Sequence, residues 1–276
     1  MGRLDDLRRL VRELESALVA FSGGVDSTFL LWVARQELGD RVCAVTASSP
    51  VDPEREVEEA RQLARKLGVE HFVIHFDPLL LPEYRANPPE RCYYCKKLLY
   101  TKFWELAREK GLAWVIDGGN RDDEGDYRPG RRAGRELRVR SPLQEAGLSK
   151  EEIRLLSREA GLPTWDKPAA ACLASRIPYG EEITREKLQR IERAEEFLHA
   201  LGCRLVRVRS HGRLARIEGG AEEAPLIFRH RQEVSGFLKE LGFLYVTLDL
   251  AGYRTGSMNE ELPGAKKGAL KQDFSV

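Results

Sequence analysis

Three cysteines raise the first chemical question. Cys92 and Cys95 stand three apart in RCYYCKKLLYT (91–101), and Cys172 lies far downstream in AACLASRIP (170–178). Arg91, Lys96 and Lys97 flank the pair, and cations so placed are expected to lower thiol pKa values. Small neighbours leave Cys172 open to approach, with Arg176 one helical turn further on. Three cysteines can ligate a [4Fe–4S] cluster and leave one iron free for sulfide or substrate. Cys172 could equally act alone as a nucleophile or sulfur source, or all three could be structural. A thioredoxin-like pair normally follows a strand, whereas PEYRANPPE before Cys92 reads as a loop. Structural zinc wants four ligands, and neither a second pair nor a nearby His is present. Cys43, among valines, and Cys203, which reads as opening a strand, are expected to be small buried hydrophobes.

The sharpest local motif is Ser22-Gly23-Gly24-Val25-Asp26-Ser27-Thr28, between the apolar run SALVAF and the helical pattern FLLWVARQELG. Paired glycines allow close backbone approach to a ligand, and the following helix start offers unpaired N–H groups to an anion. Ser22, Ser27 and Thr28 add hydroxyls, and Asp26 can hold Mg²⁺ against phosphate oxygens. The spacing excludes a Walker loop, which needs G-x-x-x-x-G-K-[ST].

These residues must be positioned by a framework, and the first 120 residues supply a regular one. Leu4, Leu7, Leu10, Val11 and Leu14 have helical spacing. Strand-like SALVAF, RVCAVTAS, HFVIHF and AWVIDGG alternate with helical segments, which predicts an α/β fold with a parallel sheet covered on both faces. Asp52 is expected to cap the helix that follows it, with Pro53 at its first position and Gly68 at its end. Residues 121–145 read as loop. Ser149 and Glu152 form a capping-box pattern. Beyond residue 176 the order becomes helix, two strands around Ser-His-Gly, helix, strand, a smaller α+β domain. The expected domains are therefore 1–175 and 176–276.

Composition excludes several classes. Lys plus Arg number 45 and Asp plus Glu 44, so no uniformly basic surface is offered to nucleic acid or membrane. No apolar run approaches the ~20 residues needed to cross a bilayer, and the charged N-terminus is not a signal peptide. A cytoplasmic protein with reduced thiols is expected.

SGGVDST resembles the PP-loop of the ATP pyrophosphatases, which cleave ATP between the α and β phosphates and adenylate a substrate. The resemblance implies an adenine nucleotide alpha hydrolase-like first domain. It places Thr46, Ala47 and Ser48 around the adenosine, and Asp117, Gly118, Gly119 and Asn120, with Asp122 and Asp123, near the nucleotide. A closer likeness covers nearly the whole chain. SGGVDST, CYYCKKLLY, WDKPAAACLASRIPYG, RVRSHGRLARIE and GYRTGSMNE resemble the LarE family of ATP-dependent sulfur transferases. That family makes the thiocarboxylates of the nickel-pincer nucleotide of lactate racemase. The resemblance implies ATP and Mg²⁺, pyridinium-3,5-biscarboxylic acid mononucleotide as substrate, and a homo-oligomer, with a hexamer the assembly it suggests; the sulfide donor stays open. It also implies one of two sulfur strategies: a sacrificial cysteine at Cys172, or a [4Fe–4S] cluster on three cysteines. The CxxC places this chain with the second.

A doubly carboxylated nucleotide needs cations. Arg207 and Arg209, two apart on a predicted strand, share a face, and guanidinium forks suit phosphate and carboxylate. A solvated edge strand is their plain alternative. Ser175 and Arg176 are expected to complete the anion site, with Glu195 and Glu218 as weaker contacts to metal or substrate. The rival reading is a tRNA-thiolating PP-loop enzyme. Near-neutral charge and the C-terminal motifs speak against it, and strongly salt-dependent RNA binding would be its signature.

Overall fold

A computed structural model of the chain describes residues 2–125, 129–168, 171–254 and 256–262. The chain divides after Cys172 into two compact units.

The first unit runs α1 (Arg3–Arg12), β1 (Ala17–Ala20), α2 (Val25–Leu38), β2 (Val42–Ser48), α3 (Glu54–Lys66), β3 (Glu70–His75), α4 (Pro82–Arg85), α5 (Arg91–Glu109), β4 (Trp114–Ile116), α6 (Gly130–Glu136), α7 (Pro142–Glu145) and α8 (Lys150–Glu159). The four strands form one parallel sheet in the order β3-β2-β1-β4. Strand residues alternate between two cores, as the twofold side-chain period demands. Ala17, Val19, Val42 and Ala44 face α1, α2, α3 and α8 through Leu7, Phe29, Leu63 and Ile153. Leu18, Cys43 and Val45 face Tyr100, Phe103 and Ala107 of α5 on the opposite side. Helices therefore cover both faces, and near-continuous apolar strands follow from that double burial. The loops after β1, β2 and β4 all leave from the same carboxyl edge, where parallel sheets place ligands. Among the described residues no helix is long and apolar enough to cross a membrane.

Four local expectations are corrected. Residues 121–145 are not a loop, because α6 and α7 lie within them. Glycine is a weak helix former, but in α6 it is used for close packing on α5. A Cβ at Gly130 would meet Lys96 Cγ at 3.0 Å, and one at Gly134 would meet Tyr100 Cε2 at 3.6 Å. Tertiary contact overrides composition there. PEYRANPPE likewise contains the single turn α4, with Pro82 at its first position. Asp52 does not cap α3: Pro53 holds the cap position, and the Asp52 carboxylate instead accepts from Ser49 Oγ at 2.6 Å. Cys203 precedes its strand rather than opening it, although it is buried as expected. The Ser149–Glu152 capping box is formed in both directions.

The second unit contains α9 (Arg185–Ala200), β5 (Val206–His211), β6 (Leu214–Gly219), α10 (Glu223–Arg229), α11 (Arg231–Glu240) and β7 (Tyr245–Leu248). Its sheet has the order β5-β6-β7, antiparallel in the hairpin and parallel between β6 and β7. Val206, Val208, Ala215 and Ile217 turn one face into a core with Leu198, Val234 and Leu238. The opposite face carries the arginines. Helix α10 had no counterpart in the sequence reading.

Candidate active site

The phosphate loop follows β1 directly. Gly24 caps α2, and Gly23 sits at φ +66° with Ala60 of α3 so near that a Cβ would lie 3.2 Å from the Ala60 Cα. Only glycine satisfies both constraints. The three hydroxyls of the motif are preset differently. Ser22 Oγ and Ser27 Oγ bond each other at 3.1 Å, and Ser27 Oγ also reaches Gly24 O. Thr28 is fully buried, and its hydroxyl has no hydrogen-bond partner among the described residues.

The loop after β4 closes on this turn. A Cβ at Gly118 would meet Ser27 N at 3.0 Å, so the backbones touch. Asn120 Nδ2 donates to Asp26 Oδ1 at 3.5 Å, Asn120 N donates to Asp123 Oδ2, and Asp122 accepts from Lys150 N. Asp117 is held by Tyr100 OH (2.5 Å), Ser141 Oγ (2.6 Å) and Gly119 N (3.1 Å). Two lysines also enter the site, and sequence reasoning missed their role. Lys150 Nζ lies 2.5 Å from Asp26 Oδ2, and Lys167 Nζ donates to Gly23 O (3.2 Å) and Glu59 Oε2 (2.8 Å). The signal for Lys150 was its place just after the helix cap Ser149; Lys167 lay inside the quoted WDKP.

At the end of β2, Ala47 and Ser48 are half-buried. Thr46 is buried, and its hydroxyl is already committed, donating to Phe21 O at 2.6 Å beside His71 Nε2 at 2.7 Å. Burial, then Arg61 and Arg65, push the His71 pKa down to about 4, so its ring is neutral at pH 7. Thr46 therefore offers a ligand its backbone rather than its side chain.

Cys92 and Cys95 occupy the first turn of α5, and Cys172 belongs to the same unit. The expectation that adjacent cations lower the pair's pKa is corrected for Cys95, whose pKa is raised. Burial is the main cause, followed by the fields of Cys172, Asp52 and Cys92; Lys96 opposes them weakly. The cations are directed elsewhere. Arg91 donates to Asn87 Oδ1, Lys96 to Tyr100 OH and Lys97 to Tyr93 OH. The same three cysteines act on Tyr84 of α4, whose pKa is raised by burial and then by Cys172, Cys95 and, more weakly, Cys92. All three cysteines thus lie near enough for their charges to act on one buried phenol. Among the described residues, no three His, Cys, Asp or Glu side chains stand close enough to grip a single metal ion.

In the second unit Arg207 and Arg209 share a face of β5 and are buried, which removes the solvated-edge alternative. Arg176 forks onto Glu195 at 2.9 and 2.8 Å, and Glu195 also accepts from Val208 N at 2.8 Å. Arg209 donates to Glu218 (2.6 Å), to Ser257 Oγ and to the Ser175 carbonyl. Burial, then Arg176 and Arg209, lower the pKa of Arg207. An anion placed there would relieve that repulsion.

A family model described as queuosine biosynthesis protein QueC matches residues 16–81, the stretch from β1 through the phosphate loop to β3. An uncharacterized protein of Synechocystis is 49% identical over 95% of this chain and 98% of its own. The pyridinium-3,5-bisthiocarboxylic acid mononucleotide synthase of Lactiplantibacillus plantarum is 41% identical over 93% of both chains. The chain belongs to the LarE family. As a LarE-family member it is a sulfur-inserting enzyme of the ATP-using PP-loop superfamily. Argininosuccinate synthase of Methanopyrus kandleri is 29% identical over 54% of this chain and 42% of its own.

One prediction arises from Asp52, which adjoins the cysteines in this LarE-family site. Burial lifts its pKa to about 6, against the Ser49 hydrogen bond. A carboxyl raised on folding stabilises fully below its unfolded pKa, and that contribution is lost as pH rises through about 6. Asp52→Asn keeps the bond from Ser49 and removes the ionisation. It is expected to be more stable than the wild type at pH 8, by about 3 kcal/mol at most, with the gap closing by about pH 4. Urea unfolding at both pH values measures the difference.

Proposed function

We propose that this protein inserts sulfur into a carboxylate of pyridinium-3,5-biscarboxylic acid mononucleotide by way of an acyl adenylate. A substrate carboxylate oxygen attacks the α-phosphorus of ATP, the bond to the β-phosphate oxygen breaks, and pyrophosphate departs. Hydrosulfide sulfur then attacks the activated carbonyl carbon, and AMP leaves with the former carboxylate oxygen.

Each residue has a part. The first-turn backbone N–H groups of Val25, Asp26 and Ser27, at the positive end of α2, serve the departing pyrophosphate, whereas the Thr28 N–H already donates to Gly24 O. The buried Thr28 hydroxyl, with no partner among the described residues, is a donor ready for a phosphate oxygen. Asp26 turns toward Mg²⁺, which when bound neutralises phosphate charge, and Lys150 transfers from Asp26 to the nucleotide. Thr46, Ala47 and Ser48 line the adenosine through the β2 edge, and Gly118 and Asn120 close the opposite side. Arg176, Arg207 and Arg209, with Ser175, Glu195 and Glu218, bind the anionic substrate in a C-terminal unit that also serves assembly into a homo-oligomer. When bound, a [4Fe–4S] cluster on Cys92, Cys95 and Cys172 supplies an open iron for an exogenous sulfide. The chemistry of the donor set suits such a group: all three are cysteines, and the charges of Cys172 and Cys92 both act on the Cys95 thiol.

The observation that most supports this reading is that Cys92, Cys95 and Cys172 belong to the unit that bears the phosphate loop and that the charges of Cys172 and Cys92 act on the Cys95 thiol. ATP–pyrophosphate exchange tests it. Exchange that depends on the biscarboxylate nucleotide supports the adenylation step. No exchange with that nucleotide, together with tight and salt-sensitive tRNA binding, would move the enzyme to RNA thiolation.

A further inference from the structure

The Tyr84 hydroxyl is the most conspicuous polar atom that the chemistry above leaves unused. Tyr84 is 1% exposed and lies in α4, which packs on the cysteine-bearing helix α5. Its hydroxyl has no hydrogen-bond partner among the described residues. Burying such a group without a partner is unfavourable, and phenylalanine would fill the same space without that penalty. Two neighbouring polar groups do not serve it. Arg91 is turned to Asn87, and the Asn87 amide donates to the Tyr84 backbone carbonyl rather than to its ring. The charges that act on the hydroxyl most are those of Cys172 and then Cys95, followed by the opposing Arg91 guanidinium and last by Cys92. A phenol O–H buried beside three sulfur donors is a hydrogen-bond donor kept for a group that arrives with the sulfur.

We propose that Tyr84 is a positioning residue of the sulfur site, its hydroxyl donating a hydrogen bond to a sulfur atom of the bound iron–sulfur group. The proposal rests on the cluster reading above and goes beyond it, because it assigns a donor from an element outside the cysteine motifs. The bond would bias that sulfur's charge and fix its orientation. Hydrogen bonds to cluster sulfurs shift reduction potentials, and loss of a supporting contact to a metal site commonly weakens it about 10- to 100-fold.

Tyr84→Phe separates this role from packing. The variant and the wild type are prepared without iron and also reconstituted anaerobically with iron and sulfide. Three quantities are read: the melting temperature of the iron-free protein, the midpoint potential of the cluster, and the rate of iron loss to a chelator. The expected result is an iron-free variant at least as stable as the wild type. Its cluster potential shifts to more negative values, and iron is lost about tenfold faster. An iron-free variant that melts lower or does not fold would show that the hydroxyl serves the fold, overturning the proposal. An unchanged potential and iron loss would overturn it as well. If the wild type itself takes up no iron, the cluster reading fails and the role of Tyr84 falls with it, an outcome distinct from a normal cluster in the variant.

Discussion

Asp26→Asn is expected to abolish most substrate-dependent pyrophosphate exchange, by about 10²- to 10³-fold, while leaving the protein folded. The side chain sits in the first turn of α2, at the edge where the β4 loop closes, and is only partly buried. Its structural contribution is therefore small. The negative charge favours the helix start by about 0.3–1 kcal/mol, and its ion pair with Lys150 is exposed enough to add little more. Its chemical contribution is large, because an amide cannot replace a carboxylate against a divalent cation held on phosphate oxygens. Exchange rate and melting temperature measured together decide the matter. A folded variant with near-normal exchange would remove Asp26 from the metal site and leave it only its contacts with Lys150 and Asn120 among the described residues.

The second large effect lies in the C-terminal unit. Glu195 joins three elements, accepting both nitrogens of the Arg176 fork and the Val208 amide, with both side chains almost wholly buried. Burial works against its charge, but Arg176 and the hydrogen bonds hold its pKa below the ordinary carboxylate range. Glu195→Gln removes the carboxylate charge onto which the buried guanidinium is forked and should cost about 3–5 kcal/mol. That is a large share of the ~5–15 kcal/mol that holds a domain. The sign follows from the depressed pKa. The stabilisation is present at neutral pH and fades as pH falls through the folded-state value, so the gap between variant and wild type narrows in acid. A double variant, Arg176→Met with Glu195→Leu, distinguishes fold from function. An apolar pair of similar volume can restore stability. It cannot restore an anion site, so the refolded protein should remain inactive. Recovery of both stability and activity would show the pair to be purely structural.

The framework was legible because its signals are local. Apolar runs ending at Ser22, Ser48 and Asp117 marked the strands, and the distance between them left room only for helices. The phosphate loop was legible because glycines before a helix have few other uses. Other features were hidden because they depend on three-dimensional neighbours. Gly130 and Gly134 look like loop residues until Lys96 and Tyr100 of α5 are packed against them. Lys96 adjoins Cys95 in sequence, yet its ammonium points at Tyr100, so counting nearby cations gave the wrong sign for the thiol. Arg207 and Arg209 were correctly paired by the twofold strand period, but their burial and their carboxylate neighbours belong to the tertiary structure. Nothing in PEYRANPPE distinguished Tyr84 from a surface tyrosine. Its buried hydroxyl among the cysteines emerges only once α4 is laid on α5.

The central claim is that sulfur reaches the activated carboxylate from a group held by three cysteines, so that the protein survives each reaction. The most direct measurement is thiocarboxylate formed per protein chain under anaerobic conditions, with excess ATP, Mg²⁺, sulfide and biscarboxylate nucleotide. The mass of the protein is read before and after. The account predicts more than one product per chain, Cys172 intact at the end, and loss of turnover in Cys92→Ala and Cys95→Ala. Product that stops at one sulfur per chain, with Cys172 converted to dehydroalanine and both of those variants fully active, would contradict it.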